Sequence, residues 1–139
     1  MYKNLSILLL LVLLCSGCTK NQQKSACGIQ VCSDIFITIG INFTDNTGKA
    51  IAVKNFSAIN QRTHLSLVRT VPLNELLMLG FYIVADDSML KQLSSDGDDI
   101  LISGTDPATN QTKTANIKIS GGCNCHVARL TGPDVIAFD

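Results

Sequence analysis

Between Ile35 and Phe43 the chain reads IFITIGINF, with Ile35, Ile37, Ile39, Ile41 and Phe43 at every second position. Apolar, β-branched residues recurring at period two demand a strand with one buried face, and that pattern excludes an amphipathic helix here. The stretch DNTGK, residues 45 to 49, follows with turn chemistry, and Gly48 can take positive φ. A hairpin is therefore expected, with a second strand starting at Ile51. Its alternation slips between Val53 and Phe56, which points to a bulge or a change of sheet.

Further short β-rich runs follow. LSLVRTVPL carries Pro72, which marks an edge or a break, and LGFYIVAD reads as another strand. DDSMLKQLSSDGDD holds an N-cap candidate in Asp87 or Ser88 ahead of one or two helical turns. Ile100 to Ser103 reads as a strand, DPATNQ as a hairpin loop, and TKTANIKIS alternates with Ala115, Ile117 and Ile119 on one face. GGCNCHVARL and DVIAFD read as the last strands, separated by a turn at Gly132-Pro133. About seven or eight short strands with one short helix and no βαβ rhythm predict an all-β antiparallel sandwich over residues 32–139.

The first residues set the compartment. MYKNLSILLLLVLLCSGC has one lysine, an apolar run from Leu5 to Leu14 and small residues before Cys18, the layout of a secretory signal over residues 1–17. The run is about ten residues, against roughly twenty for a membrane-spanning helix. LCSGC resembles the bacterial lipobox, in which a cysteine after small residues becomes the lipid-modified first residue of the mature chain; Ser16 and Gly17 fit, and Cys15 stands where leucine is usual. The resemblance implies acyl chains on Cys18, a durable anchor when more than one is present. Residues 18–31 are expected to be the lipidated cysteine and a flexible tether, since TKNQQKSA, residues 19 to 26, has no apolar residue larger than alanine. Thr19 and Lys20 lack the aspartate that retains some such proteins in the inner membrane, so the outer membrane is the expected address. The membrane, through this lipid, is the partner that the resemblance implies, and an envelope protein or the cell wall is left open as a second.

Loss of residues 1–17 removes Lys3, leaving ten basic and eleven acidic side chains, which gives nucleic acid nothing to recognise electrostatically. The sequons at Asn4, Asn42, Asn55 and Asn110 read as ordinary strand and loop residues in a bacterial chain.

TDNTGKAI after the first strand, the late D-x-I-L-I-x-G strand and the closing CNCHVARLTGP together resemble small envelope lipoproteins with a transthyretin-like or carboxypeptidase-regulatory-like sandwich, over most of residues 32 to 139. The resemblance implies a prealbumin-like or immunoglobulin-like fold and a non-catalytic role, and it names no ligand.

Four cysteines remain once Cys15 and Cys18 are set aside: Cys27, Cys32, Cys123 and Cys125. An even number in an exported chain reads first as disulfides. Placed on a strand, Cys123 and Cys125 share a face, and a bridge between them would close a strained ring. The favoured arrangement joins Cys27 and Cys32 each to one of Cys123 and Cys125; the alternative joins Cys27 to Cys32. A different class of function would use Cys123, Cys125 and His126 as zinc or copper(I) ligands or as an exchanging thiol pair. Neither Cys-x2-Cys nor His-x3-His occurs, however, and on a strand His126 would face away from Cys125.

The remaining candidates carry less chemistry. His64 lies in a polar loop without a G-x-S-x-G elbow. Asp96, Asp98 and Asp99 lack the D-x-D-x-D-G order of a calcium loop and read as a solvated turn. Glu75 has no partner carboxylate for glycoside hydrolysis, and two tyrosines without tryptophan make no sugar platform. No enzyme and no cofactor are expected. The expected function is a lipid-anchored envelope binding or scaffolding module, working through loops at one end such as residues 60 to 66 and 105 to 112; inhibition of a secreted hydrolase would suit the same fold.

Overall fold

A computed structural model describes residues 27–68 and 80–139. The signal segment, Cys18, most of the expected tether, Pro72 and Glu75 lie outside the described residues.

Two sheets form the domain. The first contains β1 (Thr38–Thr44), β3 (Phe81–Asp86) and β7 (Val135–Ala137), in the order β3-β1-β7. The second contains β2 (Lys54–Asn60), β4 (Asp98–Thr105), β5 (Thr112–Ser120) and β6 (Ala128–Thr131), in the order β2-β4-β5-β6. The expected all-β sandwich is what forms, with seven strands and one short 3-10 helix (Asp87–Gln92) among the described residues. One pairing departs from antiparallel: β7 runs parallel to β1, with Phe43 opposite Ile136.

The alternation of β1 buries Ile39, Ile41 and Phe43, which join Ile100 and Ile102 of β4 and Ile117 and Ile119 of β5 in one core. Each fully buried isoleucine contributes about 1.5–3 kcal/mol relative to exposure. Phe43 is the hub of an aromatic group, edge-on to Tyr82 at 5.5 Å and to Phe56 at 6.2 Å, and stacked on Phe138 at 6.0 Å. Gly104 makes room for it, since a Cβ there would stand 2.7 Å from the ring.

Three expectations about elements are corrected. The first strand begins at Thr38 instead of Ile35, because the Ile37 amide donates to the Asp87 carboxylate at 2.8 Å and Ile35 and Phe36 are exposed. The expected hairpin stops after one bridge, Thr44 to Ala50. The Tyr82 hydroxyl then accepts from the Val53 amide at 2.7 Å and donates to the Val53 carbonyl at 3.1 Å, so Val53 has no strand partner and the chain crosses to the second sheet. The anticipated slip has both of its causes, that change of sheet and a register shift between Lys54 and Ser57. The helix cap is Asp86, whose carboxylate accepts from the Ser88 amide at 2.9 Å.

Strand direction also separates loops expected at one end. Lys54 lies opposite Thr105 and Asn60 opposite Ile100, so the turn after Asn60 and the loop after Thr105 sit at opposite ends of the sandwich.

Candidate functional site

The end that carries the turn after Asn60 also receives the N-terminal segment. Residues 27–37 have no regular structure, and two disulfides fasten them: Cys27 to Cys123 with Cα atoms 5.0 Å apart, and Cys32 to Cys125 at 5.3 Å. Cys27 falls within the stretch expected to be tether, so the fastened part starts five residues before position 32.

Residues 121–127 are a loop rather than the start of a strand. Backbone donors dock it on the neighbouring turn: Gly121 to the Ser94 carbonyl at 2.9 Å, Gly122 to the Leu90 carbonyl at 2.7 Å, and Cys123 to Ser95 Oγ at 2.9 Å. Gly122 has φ +61°, and a Cβ there would meet Ser95, so glycine is required. Freed from strand alternation, Cys125 and His126 both serve the same side of the structure, contrary to the strand-based expectation that His126 faces away.

His126 is tied at both ring nitrogens. Nδ1 lies 2.7 Å from Asp87 Oδ2, and Nε2 lies 3.0 Å from Ser33 Oγ. A carboxylate only accepts, so Nδ1 carries the proton and, in the neutral ring, Nε2 is left to accept from the Ser33 hydroxyl. Asp87 is itself fixed: Oδ1 accepts from the Val127 amide at 2.8 Å and Oδ2 from the Ile37 amide. Burial opposes ionisation of Asp87, but the Ile37 amide, the His126 ring and the Val127 amide together hold its carboxyl below the ordinary range. The side chains of His126 and Asp87 are 20% and 11% exposed, whereas Ser33 is exposed.

Ser33 and Asp87 were not recognised in the sequence as partners of His126. They stand 93 and 39 residues from it, so no local motif joins them. One signal was present: Ser33 follows Cys32 and His126 follows Cys125, and a bridge between two cysteines makes their successors neighbours.

The other sequence candidates fall elsewhere. Cys123 and Cys125 spend their sulfurs in bridges, and among the described residues no group of three His, Cys, Asp or Glu side chains is placed to hold a metal. His64 is an exposed turn residue with φ +59°. Asp98 is not part of a solvated turn: it is 3% exposed and gripped by Arg62 through Nε at 2.6 Å and Nη2 at 2.8 Å. Asn60 Nδ2 at 2.7 Å and the Ser94 amide at 3.1 Å complete its shell. The Arg62 hydrogen bonds lead in lowering its pKa to about 2, against the opposing effect of burial.

No helix among the described residues is long and apolar enough to cross a membrane. No protein-family model, curated protein or solved structure matches the chain.

Proposed function

We propose that the protein is a lipid-anchored binding or scaffolding module of the bacterial envelope, held through Cys18 to the outer membrane. One observation carries this reading: both bridges fasten the N-terminal segment at a single end of the sandwich, where residue 27 begins the described chain after the polar stretch 19–26. A domain held there leaves the opposite end free. That end carries the turn at residues 45–49 and the loop at 106–111.

Both free loops are stiffened by their own polar groups, as suits a preformed binding surface. Asp45 accepts from the Thr47 hydroxyl at 2.6 Å and from the Thr47 and Lys49 amides. Asp106 accepts from the Ala108 amide at 2.9 Å and the Thr109 hydroxyl at 2.7 Å, while Lys54 Nζ reaches Asn110 Oδ1 at 2.6 Å. The transthyretin-like resemblance belongs to this reading through its sequence motifs.

The full chain, expressed in a bacterium with two membranes, tests both halves of it. Acylated Cys18 and outer-membrane fractionation, lost in Cys18→Ser, are the expected result; release of an unacylated chain into the periplasm would overturn the anchoring. Photo-crosslinkers at Thr47 and Thr109 should capture a discrete partner that one at Ser33 does not. Capture from Ser33 alone would place the working surface at the stapled end instead.

A further inference from the structure

We propose that Ser33, His126 and Asp87 form a hydrolytic triad, with Ser33 as a nucleophile toward carboxylic esters bearing an apolar acyl group. This goes beyond the binding role, which needs no chemistry at the stapled end, and it does not depend on the lipid anchor.

The geometry meets the demands of nucleophilic catalysis in order. A serine hydroxyl is a poor nucleophile until a base within about 2.6–3.2 Å takes its proton, and His126 Nε2 stands 3.0 Å from Ser33 Oγ. The base must present a lone pair there, which requires the other nitrogen to hold the ring proton. Asp87 enforces that tautomer from 2.7 Å, and the Ile37 and Val127 amides fix its carboxylate so that it cannot swing away. Ser33 and His126 are the reacting groups, and Asp87 is a positioning residue.

The surroundings indicate the substrate. Val31 at 98%, Ile35 at 58% and Phe36 at 64% are exposed within three residues of Ser33. Exposed apolar surface of this kind suits an apolar ligand, and an aliphatic acyl chain matches it. The Asp34 amide, next along the chain from the nucleophile, has no hydrogen-bond partner among the described residues, which leaves it open to an oxyanion.

In the reaction the Ser33 Oγ lone pair bonds to the ester carbonyl carbon, the C=O π pair moves onto oxygen, and the Oγ proton passes to His126 Nε2. Collapse re-forms C=O and breaks the bond to the alcohol oxygen, which leaves with the proton from Nε2. Water then attacks the acyl-Ser33 in the same manner, giving Nε2 a proton that returns to Oγ as the carboxylic acid departs. Ester and water give acid and alcohol, with no redox change.

The test uses the full chain from an oxidising compartment, with both bridges verified by mass. A fluorophosphonate probe should modify Ser33 at least about a hundredfold faster than any other serine, the lower range for general-base assistance, and His126→Gln should abolish that preference. p-Nitrophenyl butyrate should be turned over, and Ser33→Ala, an exposed position whose hydroxyl bonds to His126, should not turn it over. Labelling of Ser33 no faster than other serines, equal labelling in His126→Gln, or no p-nitrophenol release would each overturn the proposal. The role of Asp87 is read without any substrate: 15N NMR should show His126 protonated at Nδ1, moving toward Nε2 in Asp87→Asn. An Nε2-protonated ring in the unaltered protein would refute the triad, because it has no lone pair to offer Ser33.

Discussion

Removing the disulfides singly and together should show strong non-additivity. Cys27–Cys123 and Cys32–Cys125 span 96 and 93 residues, so either one alone closes nearly the same long loop in the unfolded chain. Once one is formed, the second closes only a small ring, Cys27 to Cys32 and Cys123 to Cys125, of roughly nine residues. In the chain-entropy description the first closure is worth about 4.7 kcal/mol and the second about 2.5 kcal/mol. Loss of either bridge alone should therefore cost at most about 2.5 kcal/mol, and loss of both at most about 7 kcal/mol. Fraying of the exposed segment 28–36, once cut loose, lowers all three values. From loop closure alone their coupling is (3/2)RT ln(95/9), about 2 kcal/mol. The cycle consists of the native protein, C27A/C123A, C32A/C125A and the quadruple variant, measured by urea unfolding under non-reducing conditions. Additivity within about 0.5 kcal/mol would refute the shared-loop argument.

Two further outcomes follow from particular groups. Asp98 has a pKa near 2 in the folded protein against an ordinary 3.8, so the folded state prefers it ionised, and that stabilisation is complete above about pH 4 and lost as pH falls through 2. At 1.36 kcal/mol per unit it amounts to about 2 kcal/mol; the stability gap between the native protein and Asp98→Asn should shrink by that amount between pH 6 and pH 2, and a constant gap would sink the ion-pair account. The two single-bridge variants should differ in chemistry although they resemble each other in stability: C32A/C125A should lose the preferential fluorophosphonate labelling of Ser33 and C27A/C123A should keep it, whereas labelling kept equally in both would mean that the bridges do not set the position of Ser33, and equal loss that Cys32–Cys125 does not set it alone.

The legible part of the fold was whatever depends on near neighbours in sequence. Ile39, Ile41 and Phe43 announce a strand because alternation is a local property, and the same holds for Ile117 and Ile119. What was not legible depends on residues far away. Ile37 continues the alternation, yet its amide belongs to Asp87, 50 residues on, and the strand starts one residue later. Val53 looks like part of a hairpin until Tyr82, 29 residues later, occupies its backbone. Asp98 looks solvated because its neighbours Asp96 and Asp99 are polar, whereas Arg62 and Asn60 arrive from another strand and turn to bury it. The cysteine pairing carried the same difficulty, since four cysteines permit three connectivities, and Ser33 could be set beside His126 only after one of them was chosen.

The energetics of the paired bridges bear on why there are two. If stability alone were at issue, one long-loop closure would supply most of what the pair supplies, because the second acts on a ring already small. The added effect of the second bridge is local: it fixes which residues of segment 27–37 lie against loop 121–127, and to within one residue. With Cys27–Cys123 alone, the five residues to Cys32 could place Ser33 anywhere within reach of that tether. With Cys32–Cys125 formed, Ser33 and His126 are the next residues on either side of a covalent link, and their side chains meet at 3.0 Å. Asp87 then locks the arrangement from the opposite side, binding the amides that flank it at Ile37 and Val127 as well as the ring itself. Chain entropy hardly distinguishes the two bridges, and their difference is local: Cys32–Cys125 is the one that sets the position of Ser33.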